Sequence, residues 1–223
     1  MIIRREAIKA VLPATSTDNS RYFLTAVQIE PDGIVVGTNG HVLLTAKDRS
    51  PFDPADFPNG TRTAVGSPEK PVLLDATAAN RLIAAMPKKG TIPILQALQI
   101  AQDDKGTPFA AATDLQIPAV VDLQFADGPD APRFPNWRRV MPKDDEPYLV
   151  VTLGVPVLEA LIKSAKAACN GGSGNGPFVR LEIPTAAQHY PNGDQSKGLT
   201  SALRVRITGM DVDVVGCAMP VRS

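Results

Sequence analysis

Apolar residues recur at helical spacing in three segments, 4–14 (RREAIKAVLPA), 76–86 (ATAANRLIAAM) and 155–169 (VPVLEALIKSAKAAC). In the third, Val157, Leu158, Leu161, Ile162 and Ala165 fall on one face of a helix with about 3.6 residues per turn. Each segment therefore predicts an amphipathic helix. Asp75 or Thr77 can cap the second, because a side-chain oxygen satisfies an N–H that the first turn leaves unpaired. Pro156 suits the first turn of the third, where its missing N–H has no helical partner to lose.

After every helix the period drops to two. YFLTAVQIE (22–30), GIVVGTN (33–39) and HVLLTAK (41–47) follow the first, with Pro31–Asp32–Gly33 as a tight hairpin. IPILQALQIA, PFAAATD and IPAVVDLQF follow the second helix, and FVRLEIP, ALRVRIT and DVDVVGCAM the third. In ALRVRIT, Leu203, Val205 and Ile207 alternate with Arg204 and Arg206, the mark of a sheet covered on one side. Short strands, PVLLD (71–75) and YLVVTL (148–153), precede the second and third helices. The repeating unit is β-α-β-β-β, and helix starts about 72 and 79 residues apart give three copies. Two of them complete a domain over 1–133. The string FPNWRRVMPKDDEP, with three prolines, reads as a connector over 134–147, and 148–223 holds a single third module. GGSGNG (171–176) and the stretch from Gln188 to Gly198 read as loops.

At 223 residues, with 43% hydrophobic and 21% charged positions, the chain can bury a sizeable core without disulfides or metals. Its two cysteines, Cys169 and Cys217, are too few for a disulfide framework and fit a reducing, cytoplasmic setting. No stretch approaches the roughly 18 apolar residues of a membrane span. Lys+Arg and Asp+Glu both total 23, which excludes gripping nucleic acid by bulk charge. Placement changes that picture, because segments 4–14, 76–89 and 155–169 carry eight basic residues against two acidic ones. Basic helices on an acidic remainder suit a protein that meets a phosphate backbone on one face. The DNA-facing candidates are Arg4, Arg5, Lys9, Arg81, Lys88, Lys163 and Lys166.

Nothing in the chain forms a catalytic constellation. His41 and His189 stand in no metal-ligand spacing, and GGSGNG lacks the Lys-Ser/Thr of a phosphate-binding loop. Asp144, Asp145 and Glu146 are consecutive residues in a Pro-bounded connector, which makes a solvated face. The expectation is a protein that is not an enzyme and needs no metal or cofactor.

Three strings carry more information: RYFLTAVQIE…TNGHVLL (21–44), FPNWRRVMP (134–142) and AMPVRS (218–223). Together and in this order they resemble the bacterial DNA polymerase III beta subunit family, the sliding clamps. That resemblance implies an α+β DNA clamp fold built of β-α-β-β-β modules, two to a domain, with sheets outside and helices lining a ring around duplex DNA. The family has six modules; this chain has three, or one and a half clamp domains. The resemblance also implies an apolar pocket, between the complete domain and the third module, for short peptides of polymerases and clamp loaders. The matching residues are Leu24, Thr38, Gly40, His41, Val42, Leu43, Pro135, Arg139, Val140, Met219, Pro220 and Val221. Asn39 replaces the family's usual Asp and Val42 its usual basic residue, which alters the polarity of the rim.

The expected function is that of a DNA polymerase processivity factor, with a clamp-related adaptor that binds the same peptides without encircling DNA as the alternative. A lone third module leaves a sheet edge and the apolar helix side at Val157, Leu158, Leu161 and Ile162 to be covered. The expected partners are therefore duplex DNA, polymerase and loader peptides, and a second chain joined through the third module, as a homodimer that could extend to a four-chain ring.

Overall fold

The computed structural model describes residues 1–58, 62–87, 92–126, 134–141, 153–168, 178–182, 203–208 and 213–218. It divides into two units, Met1–Met141 and Pro142–Ser223. The first unit opens with β1 (Ile2–Arg4), α1 (Arg5–Val11), β2 (Ala26–Ile29), β3 (Val35–Thr38) and β4 (Leu43–Ala46). The order then repeats as β5 (Val72–Asp75), α2 (Ala76–Ala84), β6 (Ala97–Gln102), β7 (Pro108–Thr113) and β8 (Pro118–Asp122), followed by the short β9 (Gln124–Phe125). The β-α-β-β-β unit read from the periodicity is present twice.

The two modules exchange their opening strands. β1 pairs antiparallel with β6, so one sheet runs β1-β6-β7-β8, while β5 pairs with β2 in a sheet ordered β4-β3-β2-β5-β9. Ile3 lies opposite Leu98, and Val27 opposite Leu74. A single apolar core runs through both sheets and both helices, taking Ile8 and Val11 from α1, Leu82 from α2, Val27 and Leu74 from one sheet and Leu98 and Ile100 from the other. Each such side chain contributes roughly 1.5–3 kcal/mol on burial. Because each sheet holds a strand from the other module, neither module closes this core alone.

Local chemistry sets the element ends. The Asp75 carboxylate accepts from the N–H groups of Thr77 at 2.8 Å and Ala78 at 3.1 Å, so Asp75 is the cap of α2. Two expected strands start later than the alternation suggests. Residues Asn19–Leu24 form 3-10 turns, with Arg21 at φ −109° and ψ 52°, and only Ala26–Ile29 is strand. The Asp18 carboxylate, accepting from the Ser20 N–H at 2.9 Å, favours the turn over an extended chain. Pro93 likewise opens a 3-10 turn over Pro93–Gln96, which delays β6 to Ala97. The first helix is also shorter than its periodic segment: Arg4 belongs to β1, and Leu12–Ala14, with Pro13, tightens to a 3-10 turn.

The second unit contains α3 (Val155–Ala168) and an antiparallel sheet β10-β11-β12 over Phe178–Glu182, Leu203–Thr208 and Asp213–Ala218. Val205 on β11 is buried against Leu153, Val157 and Leu161. The expected strand residues 148–152, the loops 171–176 and 188–198 and the connector residues 142–147 lie outside the described residues.

Helix α1 runs so close to β3 that a Cβ on Gly37 would stand 2.5 Å from the Val11 carbonyl oxygen. Gly37→Ala must push helix and strand apart, and should cost about 1–3 kcal/mol of stability. Chemical denaturation measures it, and an unchanged midpoint would contradict the close approach.

Candidate functional site

Strand β3 ends in a turn whose side chains close on its own backbone. The Thr38 hydroxyl donates to the Val42 carbonyl at 2.7 Å and accepts from the Gly40 N–H at 3.1 Å. The Asn39 carboxamide oxygen accepts from the N–H groups of His41 at 2.9 Å and Val42 at 3.0 Å. Asn39 thus makes the same acceptor bonds that Asp would make, and the family's usual Asp is not needed for the turn. Gly40 takes the left-handed conformation at φ +88°. Thr38 is buried, His41 and Val42 are exposed and Leu43 is half-buried, so the turn holds an apolar Val42 out in solvent beside the exposed Leu44.

The same turn recurs in the second module. The Thr113 hydroxyl accepts from the Leu115 N–H at 2.9 Å, and Asp114 accepts from Gln116 at 2.9 Å and Ile117 at 2.8 Å. Leu115 stands at φ +74° where the first module has glycine. Those hydrogen bonds also draw the Asp114 carboxyl below the ordinary carboxylate range.

The two ends of the first sequence string meet at the first turn. The Arg21 guanidinium lies 3.8 Å from where a Gly40 side chain would begin. Arg21 also stands 4.0 Å from Asp18, whose carboxyl is held below its usual range by Ser20 and by Arg21. Leu24 is 4% exposed. It packs as a core residue and offers no open surface to a peptide.

The connector docks elsewhere. Glu30 follows β2, at the opposite end of β3 from the Thr38–Val42 turn, and is buried with Gln28 on the face of β2 away from Val27 and Ile29. One Glu30 carboxylate oxygen accepts from Gln28 Nε2 at 2.7 Å and from the indole N–H of Trp137 at 2.7 Å, and pairs with Arg138 at 3.1 Å. The Arg138 guanidinium also covers the Trp137 ring at 4.3 Å and reaches Asp32 at 3.8 Å. Trp137 is buried, while Pro135, Arg139, Val140 and Met141 are exposed. Glu30, Trp137 and Arg138 escaped the sequence reading. The signal was there, in an acidic residue ending an otherwise apolar strand and an aromatic residue inside the connector string.

The remaining candidates divide by their partners. Arg4 donates to the Ser50 carbonyl at 3.0 Å and stacks on Phe52 at 4.0 Å, and Arg5 holds Glu6 at 2.9 Å. Lys9, Arg81 and Lys163 are exposed on their helices. Lys88, Met219, Pro220 and Val221 lie outside the described residues, as does the side chain of Lys166. Among the described residues no group of His, Cys, Asp and Glu could hold a metal ion, and no helix is long and apolar enough to cross a membrane. A cavity of about 660 Å³ lies beside Phe57, Arg62 and Gln99, but Arg62 is already paired with Asp103 and Asp122. Burial pushes the Asp103 carboxyl up, and bonds from Thr107, Arg62 and Lys105 outweigh it and hold it below the ordinary range.

No protein-family model matches the sequence, and no curated protein matches it. Solved structures do. The DNA polymerase sliding clamp from Bacillus subtilis superposes with a TM-score of 0.58 at 16% identity, over 100% of this chain and 49% of that one. A putative DNA polymerase III beta subunit from Eubacterium rectale gives 0.58 at 10% identity, over 99% and 50%. The fold is therefore that of the DNA sliding clamps, an α+β clamp fold. The chain spans about half the length of each of these two relatives.

Because Trp137 donates to a buried carboxylate, Trp137→Phe should keep the packing and lose the hydrogen bond. We expect a loss of about 1.5–3 kcal/mol, together with faster tryptic cleavage after Arg138 and Arg139. Equal stability and equal cleavage would mean that Glu30 does not anchor the connector.

Proposed function

We propose that this chain is a sliding-clamp-like DNA polymerase processivity factor that docks apolar peptides of polymerase and loader type and contacts duplex DNA through its helices. The observation that carries this reading is the clamp fold over the full length of the chain. Two local features support it. The Thr38–Leu43 turn is built by its own side chains and presents Val42 and His41 to solvent without needing a bound ligand to shape it. Val140 and Met141, just past the Trp137 anchor, add exposed apolar surface of the kind that peptide anchors bury. On the helices, Lys9, Arg81 and Lys163 are the residues for loose phosphate contact, since sliding requires binding without base readout.

The alternative is a clamp-related adaptor that binds the same peptides without encircling DNA. In that reading the peptide site operates and the DNA surface does not.

Fluorescence anisotropy with a labelled clamp-binding peptide tests the site. Val42→Glu and Val140→Glu should each weaken binding by about tenfold, or roughly 1.4 kcal/mol. Absence of saturable binding to the unaltered chain would remove the peptide function.

A second measurement separates the readings. Affinity for duplex DNA should be weak, should fall steeply with salt and should vanish when Lys9, Arg81 and Lys163 are reversed to Glu. If peptide binds and DNA does not, the adaptor reading stands.

A further inference from the structure

Two acidic residues hold equivalent places in the internal repeat. Each follows the first strand after its helix and opens a hairpin: the Glu30 N–H donates to the Ile34 carbonyl at 2.8 Å, and the Glu30 carbonyl accepts from Gly33 at 2.9 Å. Asp103 makes the same two bonds, to Thr107 at 3.1 Å and from Gly106 at 3.0 Å. Gly33 and Gly106 both take the left-handed conformation, at φ +81° and +76°. Both acidic residues are buried, and each holds an arginine from a segment that leaves a module. Arg62 pairs with Asp103 and Asp122 and covers the Phe109 ring at 4.9 Å. Arg138 pairs with Glu30 and Asp32 and covers the Trp137 ring. A buried carboxylate, a second acid and an aromatic face thus make one latch, built twice.

The two latches hold segments that are tethered differently. Arg62 lies between β4 and β5, which belong to one sheet, so its segment is fixed at both ends without the latch. The connector is held in another way. Among the described residues, Arg139, Val140 and Met141 donate their N–H groups only to Asn136 and Trp137, within the connector itself. Its hydrogen bonds and ion pairs to the rest of the first unit all pass through Trp137 and Arg138, and Gln28 orients the Glu30 carboxylate that receives them. Val140 and Met141, exposed just beyond Arg138, take their place from that hold.

We propose that Gln28, Glu30, Trp137 and Arg138 are positioning residues for the peptide site. The connector has a docked state that binds peptide and an undocked state that binds it less well. The proposal rests on the peptide-docking reading above and adds how that site is controlled. Docking in advance spares the peptide the cost of ordering the connector. By linkage, a peptide that prefers the docked state must also favour docking.

Trp137 is the chain's one tryptophan, so its fluorescence reports docking. Glu30→Gln keeps the shape and removes the charge that draws Arg138. Trp137 emission should then shift to the red as the indole meets water, and affinity for a labelled, tryptophan-free clamp-binding peptide should fall about fivefold. Saturating peptide should shift the variant's emission back, a response that loss of stability alone does not produce. Arg138→Ala, at a residue 52% exposed, should reproduce both effects and stays readable if Glu30→Gln does not fold. Asp103→Asn breaks the sister latch and should leave peptide affinity and Trp137 emission as they are. Affinity unchanged in both Glu30→Gln and Arg138→Ala would overturn the proposal while the peptide function stands. So would an equal loss in Asp103→Asn, or an emission that peptide does not restore. Absence of saturable binding to the unaltered chain would remove the peptide function and this proposal together.

Discussion

Everything in the first unit depends on the reciprocal exchange of β1 and β5. A helix must bury its apolar stripe against a second layer, and a sheet edge left uncovered invites pairing with other chains. Exchange removes both problems at once. It extends each sheet, covers the strand edge that would otherwise stand open, and joins the faces of two helices into a continuous core. The close approach of Val11 to Gly37 is one consequence, since α1 is drawn down on β3 by the same burial.

Exchange also places β2 in the interior of a five-stranded sheet, between β3 and β5. Its core-facing residues are then committed to packing, and Gln28 and Glu30 point to the other side. A carboxylate buried there is costly unless donors surround it. Gln28, Trp137 and Arg138 supply them, and in doing so they decide where the connector crosses the sheet. The exposed apolar surface at Val140 and Met141 is thus a by-product of satisfying one buried charge. The turn at Thr38 solves its polar groups locally instead, with no help from the rest of the chain.

Charge is distributed by the same logic. A chain with 23 basic and 23 acidic residues has no long-range field to attract a polyanion. The helices take their apolar stripe from the core and leave positions such as Lys9, Arg81 and Lys163 to solvent. Helix geometry, by committing one stripe to burial, separates the basic positions from the acidic remainder of the surface.

The sequence by itself determined whatever is decided within a few residues. Helical and alternating periods, the Asp75 cap and the Thr38–Asn39–Gly40 turn are all of this kind, because side chain and backbone partner are chain neighbours. Thr38, Gly40, His41 and Val42 entered the sequence reading through the resemblance to the sliding clamps, and the bonds that shape their turn are made between chain neighbours. Tertiary structure decided the rest. Which sheet β1 joins is a pairing of Ile3 with Leu98, and no local pattern encodes it. Leu24 reads as surface or core equally well until the unit closes over it. Glu30 and Trp137 lie 107 positions apart, so only a folded sheet with a burial face on each side could reveal that one needs the other. Short-range chemistry names the elements, and the demand that every buried face and charge find a partner arranges them.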